Sequence, residues 1–101
     1  MTPQEFLNRK IIFTNITYDT AGCTRAEIAE AKREGDFLPT MSIKIGDFLD
    51  QYGDMDTSSV KRNKDVLILY SAMTDAIFER GADFISDRTG WLVASFDYDN
   101  D

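Results

Sequence analysis

The sequence predicts a single α+β domain over residues 1–101, with three to four helices around a long central helix at about 57–80. That segment is the longest without glycine or proline, and its apolar residues recur at helical spacing. Residues 10–18 are rich in β-branched and aromatic residues, which favour strands. A hydrophobic content of 43% in 101 residues allows one modest core. A small antiparallel sheet is therefore expected to pack against the central helix.

The chain begins with a predicted helix. Thr2 can act as its N-cap, and Pro3 suits the first helical turn. This helix is expected to run to about residue 9 or 10, where the composition changes to that of a strand. Residues 6–12 also place apolar side chains at helical spacing, so a continued helix stays open as an alternative to the strand at 10–18.

The next two helices are predicted from caps and spacing. Thr24 has the side chain of an N-cap, and Gly35 suits the end of the mostly solvated helix that follows it. Residues 47–52 are predicted as a helix that Gly53 ends. Residues 41–46 stay open, because they fit either a strand or the start of a helix capped by Ser42.

The central helix is expected to end at Gly81 and to be followed by a C-terminal hairpin at about 82–98. Residues 87–90 have the composition of a turn, and apolar and polar residues alternate after them. Five aromatic residues at periodic positions are assigned to the core. They are Phe48, Tyr52, Tyr70, Phe78 and Phe84.

The charge of the chain limits its partners. Eleven basic and eighteen acidic residues give a formal net charge of −7, and residues 41–101 carry twelve of the acidic residues. Such a surface repels phosphate backbones and anionic lipid, so direct binding to nucleic acid or to a membrane is not expected. The lone Cys23 and the absence of a long apolar N-terminal run indicate the cytoplasm, or the host cytoplasm if a phage encodes the protein.

Catalysis is not expected from this composition. The sequence has no histidine, a single cysteine and six isolated glycines, so the usual bases, zinc ligands and phosphate loops are missing. We expect no enzyme, no cofactor and no metal site, and an enzyme that depends on paired carboxylates is the third alternative. A calcium-loop alignment starting at Asp54 fails because Ser59 stands where glycine is needed.

Residues 24–53 resemble the layout of small winged DNA-binding domains, with two helices around a turn. The second of these helices would present Asp47 and Asp50 to the DNA, and their charge has the wrong sign for a groove. A scaffold with this charge fits a protein partner better.

The candidate binding residues are two acidic clusters and the aromatic residues of the predicted hairpin. Charge runs most often only solubilise a protein, but carboxylates can also occupy a basic channel of a partner in place of phosphates. If Trp91 and Tyr98 face outward beside the C-terminal acids, they form a patch of the kind enriched at interfaces. The candidates are Asp47, Asp50, Asp54, Asp56, Trp91, Asp97, Tyr98 and Asp99.

We therefore expect a non-enzymatic inhibitor or immunity-type protein, such as a phage antagonist of host defence or a nuclease inhibitor. It would mask a basic, nucleic-acid-binding surface of a partner protein, in the sharpest version as a nucleic-acid mimic. The alternative is a structural or assembly subunit, virion- or chaperone-like, that forms a homo-oligomer through apolar patches. The sequence does not indicate the oligomeric state.

Overall fold

The computed structural model describes residues 1–53, 55 and 57–100. Within these residues the chain forms an α+β domain of four α-helices and a three-stranded antiparallel sheet, which confirms the predicted fold class. Two 3-10 turns, at Thr57–Ser59 and Asn63–Asp65, precede the last helix. In chain order the elements are α1 (Pro3–Leu7), β1 (Lys10–Tyr18), α2 (Arg25–Glu34), β2 (Met41–Lys44), α3 (Ile45–Tyr52), α4 (Val66–Thr89) and β3 (Val93–Asn100).

The first two helices begin with capping boxes. The Thr2 hydroxyl accepts the Glu5 backbone N–H at 3.1 Å, and the Thr24 hydroxyl accepts the Glu27 N–H at 3.1 Å. Gly35 ends α2 in the left-handed conformation, as predicted, with φ 74°. Helix α1 ends at Leu7, two to three residues before the predicted boundary.

Strand β1 is the centre of the sheet, with β2 on one side and β3 on the other. This confirms the strand at 10–18, and the alternative of a helix continued through residue 12 is wrong. Residues 41–44 form β2, in which Ile43 lies opposite Ile11. Helix α3 begins directly after β2, where the Ile45 N–H donates to the Arg9 carbonyl at 2.8 Å, so Ser42 is not its N-cap.

The core lies between one face of the sheet and helices α3 and α4. Ile11 and Phe13 point from β1 into this core, and Phe13 contacts the rings of Phe48 and Phe84. Burying these apolar side chains is the main favourable term in folding. The largest fully buried residues are Phe13, Phe48, Phe84, Ile11, Ile45, Leu49, Leu69, Met73, Ile77 and Ile85.

The long helix differs from its predicted bounds of about 57–80. It begins at Val66, after the two 3-10 turns, and continues through Gly81 to Thr89. Gly81 is buried inside the helix, where a Cβ atom would lie 2.6 Å from the Phe96 ring and 3.3 Å from the Phe13 ring. The prediction was wrong because this glycine allows a helix to approach the sheet and does not mark a helix end.

The prediction of a C-terminal hairpin at 82–98 is also wrong. Residues 82–89 are helical, and the segment from Val93 is a single strand that pairs with β1. The predicted turn at 87–90 is the C-terminus of α4, where Gly90 adopts φ 77° and donates its N–H to the Ser86 carbonyl. A helix that ends in a left-handed glycine has the same composition as a turn.

The domain is elongated, with extents of 52 × 20 × 18 Å. Helix α2 follows the carboxyl end of β1, whereas β2 pairs with its amino end. Strand β2 separates α2 from α3, so these helices do not form the compact pair of a winged DNA-binding domain. None of the described helices combines the length and the hydropathy needed to cross a membrane.

The close approach at Gly81 leads to a first prediction. Alanine normally stabilises a helix interior relative to glycine by about 1 kcal/mol. Here we expect Gly81→Ala to lower the free energy of unfolding by about 1 to 3 kcal/mol, because the added methyl group overlaps the Phe96 ring. Urea unfolding followed by circular dichroism measures the change.

The matched control is Gly81→Ala combined with Phe96→Leu. The smaller side chain makes room for the methyl group, so the alanine should cost less in the Phe96→Leu background than in the wild type. A stabilising Gly81→Ala, or an equal cost in both backgrounds, would contradict the proposed overlap.

Candidate protein-binding surfaces

The first candidate cluster lies on α3. Asp47 and Asp50 are exposed there, and the Asp50 carboxylate accepts a hydrogen bond from the Thr57 hydroxyl at 2.7 Å. This bond joins the helix to the turn that follows it. Asp54 and Asp56, the other two members of the cluster, lie outside the described residues. The structure therefore describes two exposed carboxylates of the four predicted here.

Helix α3 is held against α4 at its carboxyl end by Tyr52. The Tyr52 hydroxyl donates to the Asp87 carboxylate at 2.6 Å, and the Tyr52 ring stacks on Phe48 with centroids 5.4 Å apart. The hydrogen bond to Asp87 raises the pKa of Tyr52 above its usual value, and partial burial adds to this shift. Since ionised Tyr52 cannot donate this bond, the contact depends on the neutral form.

The second cluster lies on the outer face of β3. Asp97 and Asp99 are exposed, and Asp97 accepts a hydrogen bond from the Asn15 side chain at 3.0 Å. Asp99 lies opposite Ile12 in the sheet, which makes Lys10 its diagonal neighbour at roughly 7 to 8 Å. The neighbouring strand therefore brings a lysine to the same face as this cluster, but Lys10 and Asp99 form no ion pair within 4.0 Å in the described part of the chain.

Trp91 does not join this second cluster. It precedes β3 at the opposite end from Asp99, and the six residue-to-residue steps from Trp91 to Asp97 span up to about 20 Å. The half-buried indole contacts the Phe37 ring with centroids 4.8 Å apart. The predicted patch of Trp91 with Tyr98, Asp97 and Asp99 therefore does not form.

Trp91 instead borders an acidic surface that was not among the candidate sites predicted from the sequence. Glu27, Glu30 and Glu34 follow one another along one face of α2, and with Asp36 they line a shallow hollow beside Trp91. The helical spacing of the three glutamates is visible in the sequence. No local signal shows that a tryptophan 57 residues after Glu34 lies beside them. We call this set, Glu27, Glu30, Glu34, Asp36 and Trp91, the α2 acidic surface.

A chain of aromatic contacts joins this surface to the sheet. Phe37 lies between Trp91 and Tyr18, and its centroid is 5.2 Å from that of Tyr18. The Tyr18 hydroxyl donates to the Leu38 carbonyl at 2.7 Å, and burial raises the pKa of this tyrosine. These contacts position the connection that follows α2, and Ala31 is the buried residue of the helix itself.

Tyr98 lies on the inner side of β3, at the mouth of an apolar groove between this strand and α4. The groove has a volume of about 370 Å³. Phe78 borders it with 90% of its surface exposed, and Tyr70 on the same helix is 49% exposed. The prediction that Phe78 and Tyr70 belong to the core is wrong, because both project away from the face of α4 that packs on the sheet. The lining residues are Thr74, Ile77, Phe78, Ala82, Val93, Ala94, Ser95, Phe96 and Tyr98.

The acidic side chains on α2 and α3 form no ion pair within the described part of the chain, although Glu27 accepts hydrogen bonds from Thr24 and Asp50 accepts one from Thr57. Among the described residues, the ion pair within 4.0 Å is that of Arg80 with Asp83, at 2.8 Å on the surface of α4. The described part of the chain also contains no cluster of three or more acidic, cysteine or histidine side chains suited to a metal ion. The arrangement thus presents separate acidic surfaces and one apolar groove.

Comparison of the chain with protein-family models, with curated proteins and with solved structures found no match.

The bond between Tyr52 and Asp87 leads to a second prediction. Tyr52→Phe should lower the free energy of unfolding at pH 7 by about 1 kcal/mol, the usual net value of one hydrogen bond. The pKa of Tyr52 is raised in the folded protein, so its contribution is complete below pH 10 and is lost as the pH rises through the folded-state pKa. Urea unfolding at a series of pH values measures the difference between variant and wild type.

The control is Tyr70→Phe, which removes an exposed hydroxyl that has no hydrogen-bond partner among the described residues. We expect a change within about 0.5 kcal/mol for this variant at pH 7. An effect of Tyr52→Phe that equals the control, or that grows as Tyr52 ionises, would contradict the role given to the bond.

Proposed function

We propose that the protein is a non-enzymatic inhibitor that binds a basic, nucleic-acid-binding surface of a partner protein. The observation that carries the proposal is the α2 acidic surface. Three glutamates lie on one exposed helix face beside a half-buried tryptophan, and no described cation lies within 4.0 Å of their carboxylates. Acidic groups around an aromatic anchor favour a partner with a complementary basic patch.

The spacing of these carboxylates can be compared with the phosphate spacing that a nucleic-acid mimic would imitate. Successive glutamates of α2 are three and four residues apart, which corresponds to about 4.5 and 6 Å along the helix axis. One DNA strand places a phosphate about every 3.4 Å along its axis. The α2 acidic surface is therefore less densely charged than a nucleic-acid strand. This supports attraction to a basic surface more strongly than it supports an imitation of phosphate register.

A second candidate function, a homo-oligomeric assembly subunit, is favoured by a different observation. Leu67 is 79% exposed and Phe78 is 90% exposed, and both lie on α4. Exposed apolar side chains on one helix are suited to self-association. Light scattering separates the two functions, since a stable multimer whose mass does not change with salt favours assembly.

The test of the proposed function is capture of partners from a nuclease-treated lysate of the cells in which the protein is made, followed by mass spectrometry. We expect the wild type to enrich basic nucleic-acid-binding proteins, and Glu30→Lys with Glu34→Lys to reduce their yield at least tenfold. The yield should also fall between about 50 and 200 mM salt, because the attraction is electrostatic. A second variant, Asp47→Lys with Asp50→Lys, measures the contribution of α3.

The matched control is Asp75→Lys with Glu79→Lys on α4. It changes the net charge by the same four units and replaces no residue of the α2 acidic surface or of α3, although Asp75 and Glu79 lie beside Tyr52 at the end of α3. We expect its capture to equal that of the wild type. The proposal fails if all the variants capture the same proteins, or if the control loses as much as the α2 variant, because net charge alone would then explain binding.

A further inference from the structure

We propose that the free edge of β3 and the groove beside it bind an extended, basic segment of a partner protein by β-strand addition. The added strand would lie against β3 and place apolar side chains in the groove, next to Phe78. This inference takes the positive charge of the partner from the proposed function, and to that extent it rests on that function. The edge and the groove are separate observations.

The edge is available because β3 pairs on one side only. The strand order is β2–β1–β3, so the other side of this eight-residue strand has no strand partner among the described residues. An edge strand presents a row of backbone N–H and C=O groups, which can pair with another chain. Strand β2, at the opposite edge, is four residues long and offers fewer of these groups.

The groove supplies a place for side chains of the added strand. Its floor includes Ile77 and Ala82 of α4 and Phe96 of β3, and its volume of about 370 Å³ lies within the usual range of ligand pockets, about 300 to 1,000 Å³. Directly opposed residues of antiparallel strands point to the same face of a sheet. A residue opposite Phe96 or Tyr98 would therefore face the groove.

The charge of the edge decides against a second copy of this chain as the occupant. Antiparallel self-pairing centred on Asp97 would place Asp97 opposite its own copy, and pairing centred on Tyr98 would place Asp97 opposite Asp99. Pairing centred on Phe96 would leave the two copies of Asp97 as diagonal neighbours. Like charges that oppose one another across a sheet are destabilising, and each chain also carries a net charge of −7.

A basic strand reverses these interactions. Residues opposite Asp97 and Asp99 would share the outer face of the sheet with them, so lysine or arginine at alternate positions would form attractive cross-strand pairs. The intervening apolar residues would face the groove. The expected ligand is thus a segment in which basic and apolar residues alternate.

The test uses a labelled nine-residue peptide in which lysine alternates with valine. Fluorescence anisotropy should show saturable binding to the wild type, and a peptide with glutamate in place of lysine should bind at least tenfold more weakly. A third peptide, with proline at its central position, should also bind at least tenfold more weakly, since proline cannot complete the strand pairing. Hydrogen exchange should show added protection within residues 93–100 when the lysine peptide binds.

Two variants locate the site, and each has a matched control. Phe78→Ser should lower the affinity for the lysine peptide at least tenfold. Leu67→Ser, at another exposed position of α4, should keep this affinity within twofold of the wild type. Asp97→Asn with Asp99→Asn should lower the affinity for the lysine peptide by a similar factor, whereas Glu30→Gln with Glu34→Gln should leave it unchanged. Phe78 and Leu67 are both largely exposed, so these serine variants are expected to fold normally.

The outcomes that overturn the inference are distinct from those that overturn the proposed function. Absence of peptide binding, equal binding of the three peptides, or protection outside β3 would reject strand addition. A dimer in light scattering that dissociates on Phe78→Ser would identify a second copy as the occupant and would also reject it. If capture from lysate still depends on the α2 acidic surface in any of these cases, the proposed function stands without the β3 site.

Discussion

The fold depends on the close packing of α4 against the sheet at Gly81. A residue with a Cβ atom at this position would overlap the Phe96 ring, and the Phe13 ring would lie 3.3 Å from that atom. Phe13 in turn contacts Phe48, Phe84 and Phe96, so this crossing joins β1, β3, α3 and α4 in one aromatic core. Three phenylalanine side chains of this core, Phe13, Phe48 and Phe84, are fully buried.

The same glycine shows how far the sequence could predict the fold. Local signals predicted the N-caps at Thr2 and Thr24 and the α+β class, and they favoured the strand at 10–18 while leaving a continued helix open. Gly81 carries the composition of a helix end, and only its contact with rings from two distant strands explains why the helix continues. Residues 82–89 were assigned to a hairpin for the same reason, because Gly90 ends a helix with a turn-like sequence. Long-range packing decided both positions.

The sequence was sufficient to predict which types of residue are exposed, but it was less informative about which of them lie together on one surface. The exposed carboxylates of Asp47 and Asp50 agree with the expected acidic character of α3. Trp91 and Tyr98 do not form one patch because Trp91 precedes β3 and Tyr98 lies near the far end of this strand, which no composition argument reveals. Phe78 has helical spacing typical of a core residue, yet it is 90% exposed and borders the groove beside β3, an edge strand of the three-stranded sheet. The width of the sheet therefore leaves Phe78 exposed, because no described strand covers the groove beside β3.

Because the sheet ends at β3, the groove lies beside the strand that carries Asp97 and Asp99. A fourth strand beside β3 would cover Phe78 and the inner side of Tyr98, and its absence among the described residues leaves an edge that could pair with any extended chain. Asp97 and Asp99 restrict that choice, since their carboxylates oppose pairing with a second copy and attract a basic strand. Exposed apolar surface that would otherwise favour self-association is thus combined with charges that oppose it. The acidic residues of β3 determine the specificity of the edge, and the groove supplies apolar contact area to a strand of the right charge.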